Sequence, residues 1–506
     1  MKMLARYLTF LTIALLIGLA VLGGTKDTAK AATAALTDPI KIDTGYISGT
    51  LIGDIGKEVR IYRGIPYAAP PVGDLRWKPP QPAAPWQGIR ESTAFGKACS
   101  QPATIPGVEP PSEDCLSLNV VTGAKKVSDN LPVMVWLHGG GYTTGAGISP
   151  SYNSPALPQH GVVLVTINMR LGPIGLLAHP LLSKESPKGV SGNYMFLDMI
   201  AALEWVQRNI AAFGGNPKNV TIFGVSGGGA KVACLIASPL AKGLFHRGIM
   251  ESGAVGENMF PGTPMKDLES IGEKFFARLG VDKDADPLKS ARALPPAKIL
   301  ETEASLAKEL KKEYGGLWEE AIDQQFLTDS PENIYRTGKQ NPVPVITCAI
   351  LGELTGPGMV VMPHVVPLYV NHLNGVNKAG QKGYACIFDH VPAKWREEGC
   401  VSFHALEVLY VFGQKDAFGS TPEGLLYSVL AKASGAKSAY PGLSTDADRK
   451  VSETMMAMWT QFARTGNPNV KGLAVWPAYE SATDQYLYIA DPLQVRSGFS
   501  KMAQKK

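Results

Sequence analysis

Short, near-continuously apolar runs recur along this chain, each bounded by Gly, Pro or Asn. They are Val59–Tyr62, Leu116–Val121, Val133–Leu137, Val162–Asn168, Val220–Val225, Gly248–Glu251, Val343–Ala349 and Tyr384–Asp389. Continuous rather than alternating apolarity marks strands covered on both faces of a sheet. Between the fourth and fifth runs the period changes. From Tyr194 to Phe213 the apolar positions Phe196, Ile200, Leu203, Val206 and Ile210 follow helical spacing. Strands alternating with helices predict an α/β protein with a large, mainly parallel central sheet flanked by helices. From about Asn258 to Gln340 charged helical segments such as Lys266–Leu279 and Ala304–Tyr314 replace the strands. This predicts a helical insertion, about 258–340, forming a lid or pocket wall over the sheet. A helix over Asp446–Thr465 and a strand near Tyr486–Ile489 close the pattern. With no internal repeat and no long linker, residues 36–506 read as a single domain.

Composition narrows the classes. At 506 residues with 45% hydrophobic and 18% charged, the chain can bury a large core without staples and is not disordered for most of its length. Gly (54) and Pro (38) are scattered without a period, which excludes a collagen-like chain. The net charge of +5 is concentrated at the start, where Lys2, Arg6, Lys26 and Lys30 face only Asp27. No basic stripe is visible elsewhere, which argues against a nucleic-acid partner.

The start itself reads as an export signal over residues 1–31. Lys2 and Arg6 form a positive region, Tyr7 to Gly24 is uncharged and apolar, and Ala29/Ala31 offer a small-residue cleavage site, with Ala32/Ala34 as a second choice. An uncleaved anchor is the competing reading, since about 18 apolar residues just span a bilayer. The expected location is therefore secreted or periplasmic, with the membrane involved only through this segment. Nothing in the sequence bears on oligomeric state. Export permits disulfides, and Cys99 and Cys115 flank a Pro-rich stretch that a bridge would close. Cys234, Cys348 and Cys386 lie in apolar runs and read as buried thiols; Cys400 is undecided. No Cys/His set has zinc-type spacing, and neither metal nor organic cofactor is expected.

Two glycine-rich motifs carry the chemistry. Gly224-Val225-Ser226-Gly227-Gly228 matches G-x-S-x-G, with an apolar strand before it and a helix-compatible run after it. That context lifts a serine hydroxyl clear of a sheet on a tight turn. Alone, the pattern also fits an ordinary strand–helix turn or a phosphate-cradling loop. The second motif, His138-Gly139-Gly140-Gly141-Tyr142, follows the run Val133–Leu137. Consecutive glycines let backbone N–H groups approach a ligand closely, as a developing oxyanion requires. Together the two motifs point to acyl transfer.

A serine nucleophile needs a base and an orienting acid. Downstream of Ser226, histidine occurs at His246, His364, His372, His390 and His404. His404 lies late in the chain in a loop leading into an apolar segment. Glu353 follows the strand Val343–Ala349 and precedes a Gly/Pro-rich turn, at a strand's C-terminal end where such sheets build their sites. The order Ser, acid, His suits an α/β-hydrolase. On position alone, a solvated Glu and a surface His are the competing readings.

The motifs in sequence carry a resemblance. RGIPYAAPPVGDLRWKPP (Arg63 to Pro80), SEDCLSLNV (Ser112 to Val120), HGGGY and NMRLGPIG (Asn168 to Gly175) come first. They are followed by Gly192 to Pro217, FGVSGGG, LFHRGIMESGA (Leu244 to Ala254) and the His404 segment. In this order they resemble the type B carboxylesterases, the cholinesterase-like branch of the α/β-hydrolases, from about Ile42 to the last strand. The resemblance implies an α/β-hydrolase fold with Ser226 as nucleophile, Glu353 as acid and His404 as general base. It also implies an oxyanion hole from Gly140, Gly141 and Gly227, a Cys99–Cys115 disulfide, and a structural ion pair between Arg63 and Glu113. Three positions depart from the family. Val225 and Gly227 replace the usual Glu and Ala of the elbow, and Cys348-Ala349-Ile350 replaces a Gly-x-Asn pattern. Losing the elbow carboxylate argues against a cationic, choline-like substrate. The bulkier strand end leaves the placement of Glu353 for the structure to establish.

The expected function is that of an exported serine esterase acting on small-molecule carboxylic esters through an acyl-enzyme. A lipase, a bulky-ester or carbamate hydrolase of the same mechanism, and a non-catalytic cholinesterase-like binding protein are the alternatives; filled triad positions weigh against the last. Trp318 and Trp395 are placed either at the entrance or in the core. Met359, Val360, Val361 and Met362 are candidates for an apolar acyl pocket.

Overall fold

The computed structural model describes residues 36–102, 109–257, 259–310, 317–355, 364–414 and 422–504. The export segment 1–31, the candidates Met359 to Met362 and the end of the expected helix Ala304–Tyr314 lie outside the described residues.

Eleven strands form the main sheet: β1 (Thr50–Ile52), β2 (Val59–Pro66), β3 (Ser117–Thr122), β4 (Leu131–Leu137), β5 (Val163–Ile167), β6 (Gly215–Val225), β7 (Arg247–Glu251), β8 (Val345–Ile350), β9 (Gly383–Phe388), β10 (Gln485–Ile489) and β11 (Gln494–Ser497). Their spatial order is β11-β10-β9-β8-β7-β6-β4-β5-β3-β2-β1. The run from β10 through β5 is parallel throughout, and the antiparallel pairs sit at the two ends. Every strand expected from an apolar run is present, shifted by a few residues at its ends. The short strands Ile40–Ile42, Gly45–Ser48 and Ile89–Glu91 form a separate small sheet that the sequence pattern does not show.

Alternate residues of the central strands feed two cores. Val133, Val135 and Leu137 of β4 join one hydrophobic cluster, and Met134 and Trp136 join the other. Helices α1 (Tyr194–Asn209), α2 (Gly227–Ala237) and α5 (Val365–Lys378) cover the first face, and α6 (Asp446–Thr465) covers the second. The expected boundaries of α6 agree with the structure because they are chemically marked. Thr445 caps the first turn reciprocally with Asp448, and Gly466, at φ 76°, ends the helix. Between β7 and β8 run α3 (Met265–Leu279), Pro287–Ala293, α4 (Pro296–Glu309) and Pro331–Thr337. The strand-poor pattern of this stretch therefore corresponds to helices.

Two buried ion pairs tie the loops to this frame. Arg170 and Asp198 are fully buried. The guanidinium donates from Nε and Nη2 to the two carboxylate oxygens at 2.8 and 2.6 Å, joining the turn after β5 to α1. The same turn holds the glycine-rich loop, since the Gly172 N–H donates to the Tyr142 carbonyl at 2.8 Å. Asp198→Asn leaves a buried guanidinium uncompensated, so it is expected to cost about 3–5 kcal/mol of stability, read as a lower midpoint in urea unfolding. The second pair corrects an expectation. Glu113 is bound by Arg76, through Nε at 2.7 Å and Nη2 at 2.5 Å, and not by Arg63. The Arg63 guanidinium instead donates to Thr50 Oγ1 and the Thr93 carbonyl and lies over the Phe95 ring. Both arginines belong to the same stretch, Arg63 to Pro80, but Arg63 is fixed on β2 while Arg76 follows the turn Gly73–Leu75 that brings it beside Glu113.

Cys99 and Cys115 form a disulfide. Cys348 and Cys386 form a second one, which corrects their reading as thiols. They occupy directly paired positions of β8 and β9 with Cα atoms 4.6 Å apart, within bridging range. That register is invisible in sequence. Cys234 and Cys400 are free and buried.

Candidate active site

Strand β6 ends at Val225, and α2 begins at Gly227. The residue between them, Ser226, has φ 58° and ψ −127°, a conformation that costs a non-glycine residue energy and persists only where its surroundings impose it. The Ser226 N–H donates to the Glu251 carbonyl of β7 at 2.8 Å, and its own carbonyl accepts from Ala230 N at 3.1 Å. Val225 and the first residues of α2 are buried, whereas Ser226 keeps some exposure. The turn thus leaves Ser226 as the one partly exposed residue between Val220 and Ala237.

Facing it is the loop after β4. Gly140 and Gly141 have φ of 97° and 56°, in the region that favours glycine. The Gly140 carbonyl accepts from Thr143 N and Thr144 N, both at 3.0 Å, which turns it back into its own loop. Among the described residues no group accepts from the N–H of Gly140, Gly141 or Gly227. The two segments touch: a Cβ on Gly227 would lie 2.8 Å from Gly141 N. The loop that carries the Gly140 and Gly141 N–H groups therefore packs against the turn that carries Ser226, where a Cβ on Gly139 would lie 3.3 Å from Ser226 Cβ.

Glu353 lies in the helical turn Leu351–Thr355 directly after β8. Its carboxylate is fully buried, and Oε1 lies 2.6 Å from His404 Nδ1. The more distant Oε2 accepts from Ile350 N at 3.3 Å. Burial disfavours the charged His404 ring, but the charge and hydrogen bond of Glu353 outweigh it and hold the ring's pKa above the ordinary histidine value. Close approach of the two loops depends on Gly352, where a Cβ would lie within 1.6 Å of the Ser402 carbonyl. The bulky Cys348-Ala349-Ile350 end of β8 thus still delivers Glu353 to His404. The other candidate histidines are engaged elsewhere. His246 Nδ1 accepts from Val220 N, His372 Nε2 meets the Val255 carbonyl, His390 pairs with Asp448, and His364 is exposed.

A set of buried polar groups near these residues was not expected from the sequence. Ser252 Oγ donates to Glu407 Oε1 at 2.7 Å, and Trp459 Nε1 donates to Glu251 Oε1 at 2.8 Å. Tyr369 Oη accepts from Gly253 N at 2.8 Å. Burial and then the neighbouring Glu353 charge push Glu407 up to about 8; burial and then Glu407 hold Glu251 well above the carboxylate range. Burial thus favours the neutral form of both, and any charge on Glu407 adds to that of Glu353 in raising His404. Glu407 follows His404 by three residues, and that spacing was the available signal. Through Ser252 it links the His404 segment to the strand end that holds Ser226.

Trp318 and Trp395 are both fully buried. Trp318 packs edge-on against Phe275, and Trp395 donates to the Ser438 carbonyl, so both are core residues. Val225 is likewise buried among apolar neighbours and places no charge beside Ser226.

The sequence pattern of the carboxylesterase family matches residues 37–364 and 362–505. The chain belongs to the carboxylesterase family. It is 33% identical over 502 residues to para-nitrobenzyl esterase of Bacillus subtilis, covering 90% of this chain and 95% of that one. With mouse carboxylesterase 1C it shares 34% over 518 residues, 90% of each chain. A higher identity, 42%, is confined to 285 residues shared with fumonisin B1 esterase of Sphingopyxis macrogoltabida, 55% of this chain and 50% of that protein. A solved para-nitrobenzyl esterase structure superposes with a TM-score of 0.76 at 29% identity, over 92% of this chain and 98% of that one. A carboxylesterase structure from Geobacillus stearothermophilus gives 0.74 at 27%, over 92% and 99%. The fold is that of an α/β-hydrolase, and the protein is a carboxylic ester hydrolase.

Proposed function

We propose that this carboxylesterase is an exported serine hydrolase that cleaves neutral small-molecule esters through a Ser226–His404–Glu353 triad and an acyl-enzyme. The observation that carries the reading is the 2.6 Å contact between His404 Nδ1 and the fully buried Glu353 carboxylate. It commits Nδ1 to donating and leaves Nε2 as the acceptor. Ser226 Oγ attacks the ester carbonyl and gives its proton to His404 Nε2. The resulting oxyanion accepts from the N–H groups of Gly140, Gly141 and Gly227. Collapse breaks the acyl–oxygen bond, and His404 returns the proton to the departing alcohol. Water then attacks the acyl-enzyme by the same route, releasing the acid and restoring Ser226. The apolar Val225 favours an uncharged substrate. One catalytic domain over residues 36–506 carries this chemistry, with the helices between β7 and β8 as the wall of the substrate pocket. The basic, apolar start of the chain supports export, as do the two disulfides. Among the described residues no helix is long and apolar enough to cross a membrane.

The test is hydrolysis of p-nitrophenyl esters from acetate to palmitate across pH. Protonated His404 cannot accept the serine proton, so turnover is lost as pH falls through its pKa. Because that pKa is raised, the acid limb is expected above about 6.5. A rate unchanged from about pH 8 to about pH 5 would exclude His404 as the base. The chain-length optimum measures the acyl pocket.

A further inference from the structure

From Val220 to Ala241 the chain carries one charged residue, Lys231. It sits in α2, every residue of which is buried, one turn beyond Ser226. The Lys231 side chain has no exposed surface, and among the described residues it forms no ion pair. Nζ donates to the His138 carbonyl at 2.9 Å and lies 5.8 Å from the centre of the Tyr142 ring. A buried ammonium without a carboxylate is costly, and burial alone pushes Lys231 down to about 7. The groups facing it are His138, Tyr142 and Cys234, with Glu320 acting on the last two and itself pushed up to about 8 by burial. His138 is kept neutral by burial and then by Lys231 itself. Burial also keeps Tyr142 from ionising, as it does the Cys234 thiol on the same helix.

Its location joins it to the glycine-rich loop. His138 opens the glycine-rich loop, and the carbonyl that Lys231 grips lies just before Gly139, Gly140 and Gly141. Three consecutive glycines lose more conformational freedom on ordering than any other residues, so the loop needs anchors at its ends. At the far end Gly172 N holds the Tyr142 carbonyl at 2.8 Å; at the near end Lys231 Nζ holds the His138 carbonyl, while the other side-chain contacts, His138 Nδ1 with the Gly139 carbonyl and the Thr143 and Thr144 hydroxyls with the Gly140 carbonyl, come from the loop itself.

We infer that Lys231 is a positioning residue for ester hydrolysis. Through the His138 carbonyl it fixes the Gly140 and Gly141 donors, and its charge favours the oxyanion they bind. The inference rests on the serine-esterase reading above. Removing one oxyanion donor outright costs about 10²–10³-fold in rate, and Lys231 acts on two donors indirectly. Lys231→Met, of similar length and without charge or donor, is expected to lower kcat by about 10–100-fold, with KM changed by less than about threefold. Inhibition by phenylboronic acid, whose serine adduct is a tetrahedral anion, should weaken by the same factor. Lys231→Gln keeps an N–H donor but no charge, and its kcat should fall between those of Lys231→Met and the wild type. A loss seen in KM alone, a Lys231→Met kcat within about twofold of wild type, or a fully active Lys231→Gln would overturn the assignment. If Lys231→Met does not fold, Lys231→Gln decides by the same kcat and boronate readouts. Ser226→Ala assayed alongside separates the two claims. If it remains active, the esterase mechanism fails; if it is inactive while both Lys231 variants match the wild type, only the role of Lys231 fails.

Discussion

Ser226→Ala is expected to lower kcat on p-nitrophenyl acetate by about 10⁴–10⁶-fold while leaving the unfolding midpoint almost unchanged. The side chain removed is small, and among the described residues its hydroxyl holds no structural partner; the backbone bonds to Glu251 and from Ala230 that shape the turn survive. The strain of the φ 58° conformation is borne by an alanine as readily as by a serine. What disappears is the atom that forms the acyl-enzyme. The residual rate should remain above that in buffer, because the N–H groups of Gly140, Gly141 and Gly227 still polarise a bound ester. A variant that keeps even a tenth of the wild-type rate would place the nucleophile elsewhere.

Glu353→Gln carries the second largest effect, a fall in kcat of about 10⁴-fold. A carboxylate can only accept from His404 Nδ1–H. A glutamine that turns its N–H₂ toward the ring favours the tautomer with the proton on Nε2, where it cannot receive the proton of Ser226. The pH dependence provides a separate signature. Burial lowers the His404 pKa, and the charge and hydrogen bond of Glu353 raise it above the ordinary value. With Glu353 neutralised, burial dominates, and the acid limb of the remaining activity should move to lower pH than in the wild type. Measuring kcat/KM against pH in both proteins decides this: an unmoved limb would mean that Glu353 does not govern His404.

The parts of this account legible in sequence are those where chemistry and local pattern coincide. Strands β4 and β5 and the second half of β6 are buried on both faces, so nearly every residue there is apolar and the runs stood out. Ser226 and the His138–Tyr142 loop were visible because tight turns demand glycine at fixed offsets. Position and chain order made Glu353 and His404 candidates, and only the resemblance singled them out, since nothing local distinguishes either from a surface residue; their contact is made by the end of β8 and the loop after β9. Registers and partners across long separations were hidden. The Cys348–Cys386 bridge depends on how β8 pairs with β9, and Arg76 rather than Arg63 meets Glu113 because a turn after β2 redirects the chain. Lys231 was open to view as a lone charge in an apolar run. Its meaning required knowing that α2 packs against the loop it grips.

The most direct test of the central claim is to quench the enzyme in acid within the first turnover of p-nitrophenyl acetate and map the acetylated peptide by mass spectrometry. The account predicts one acetyl group per chain, on the peptide containing Ser226, appearing with a burst of p-nitrophenol and absent from Ser226→Ala. An acetyl group on any other residue that disappears at the rate of turnover, or labelling that persists in Ser226→Ala, would contradict it.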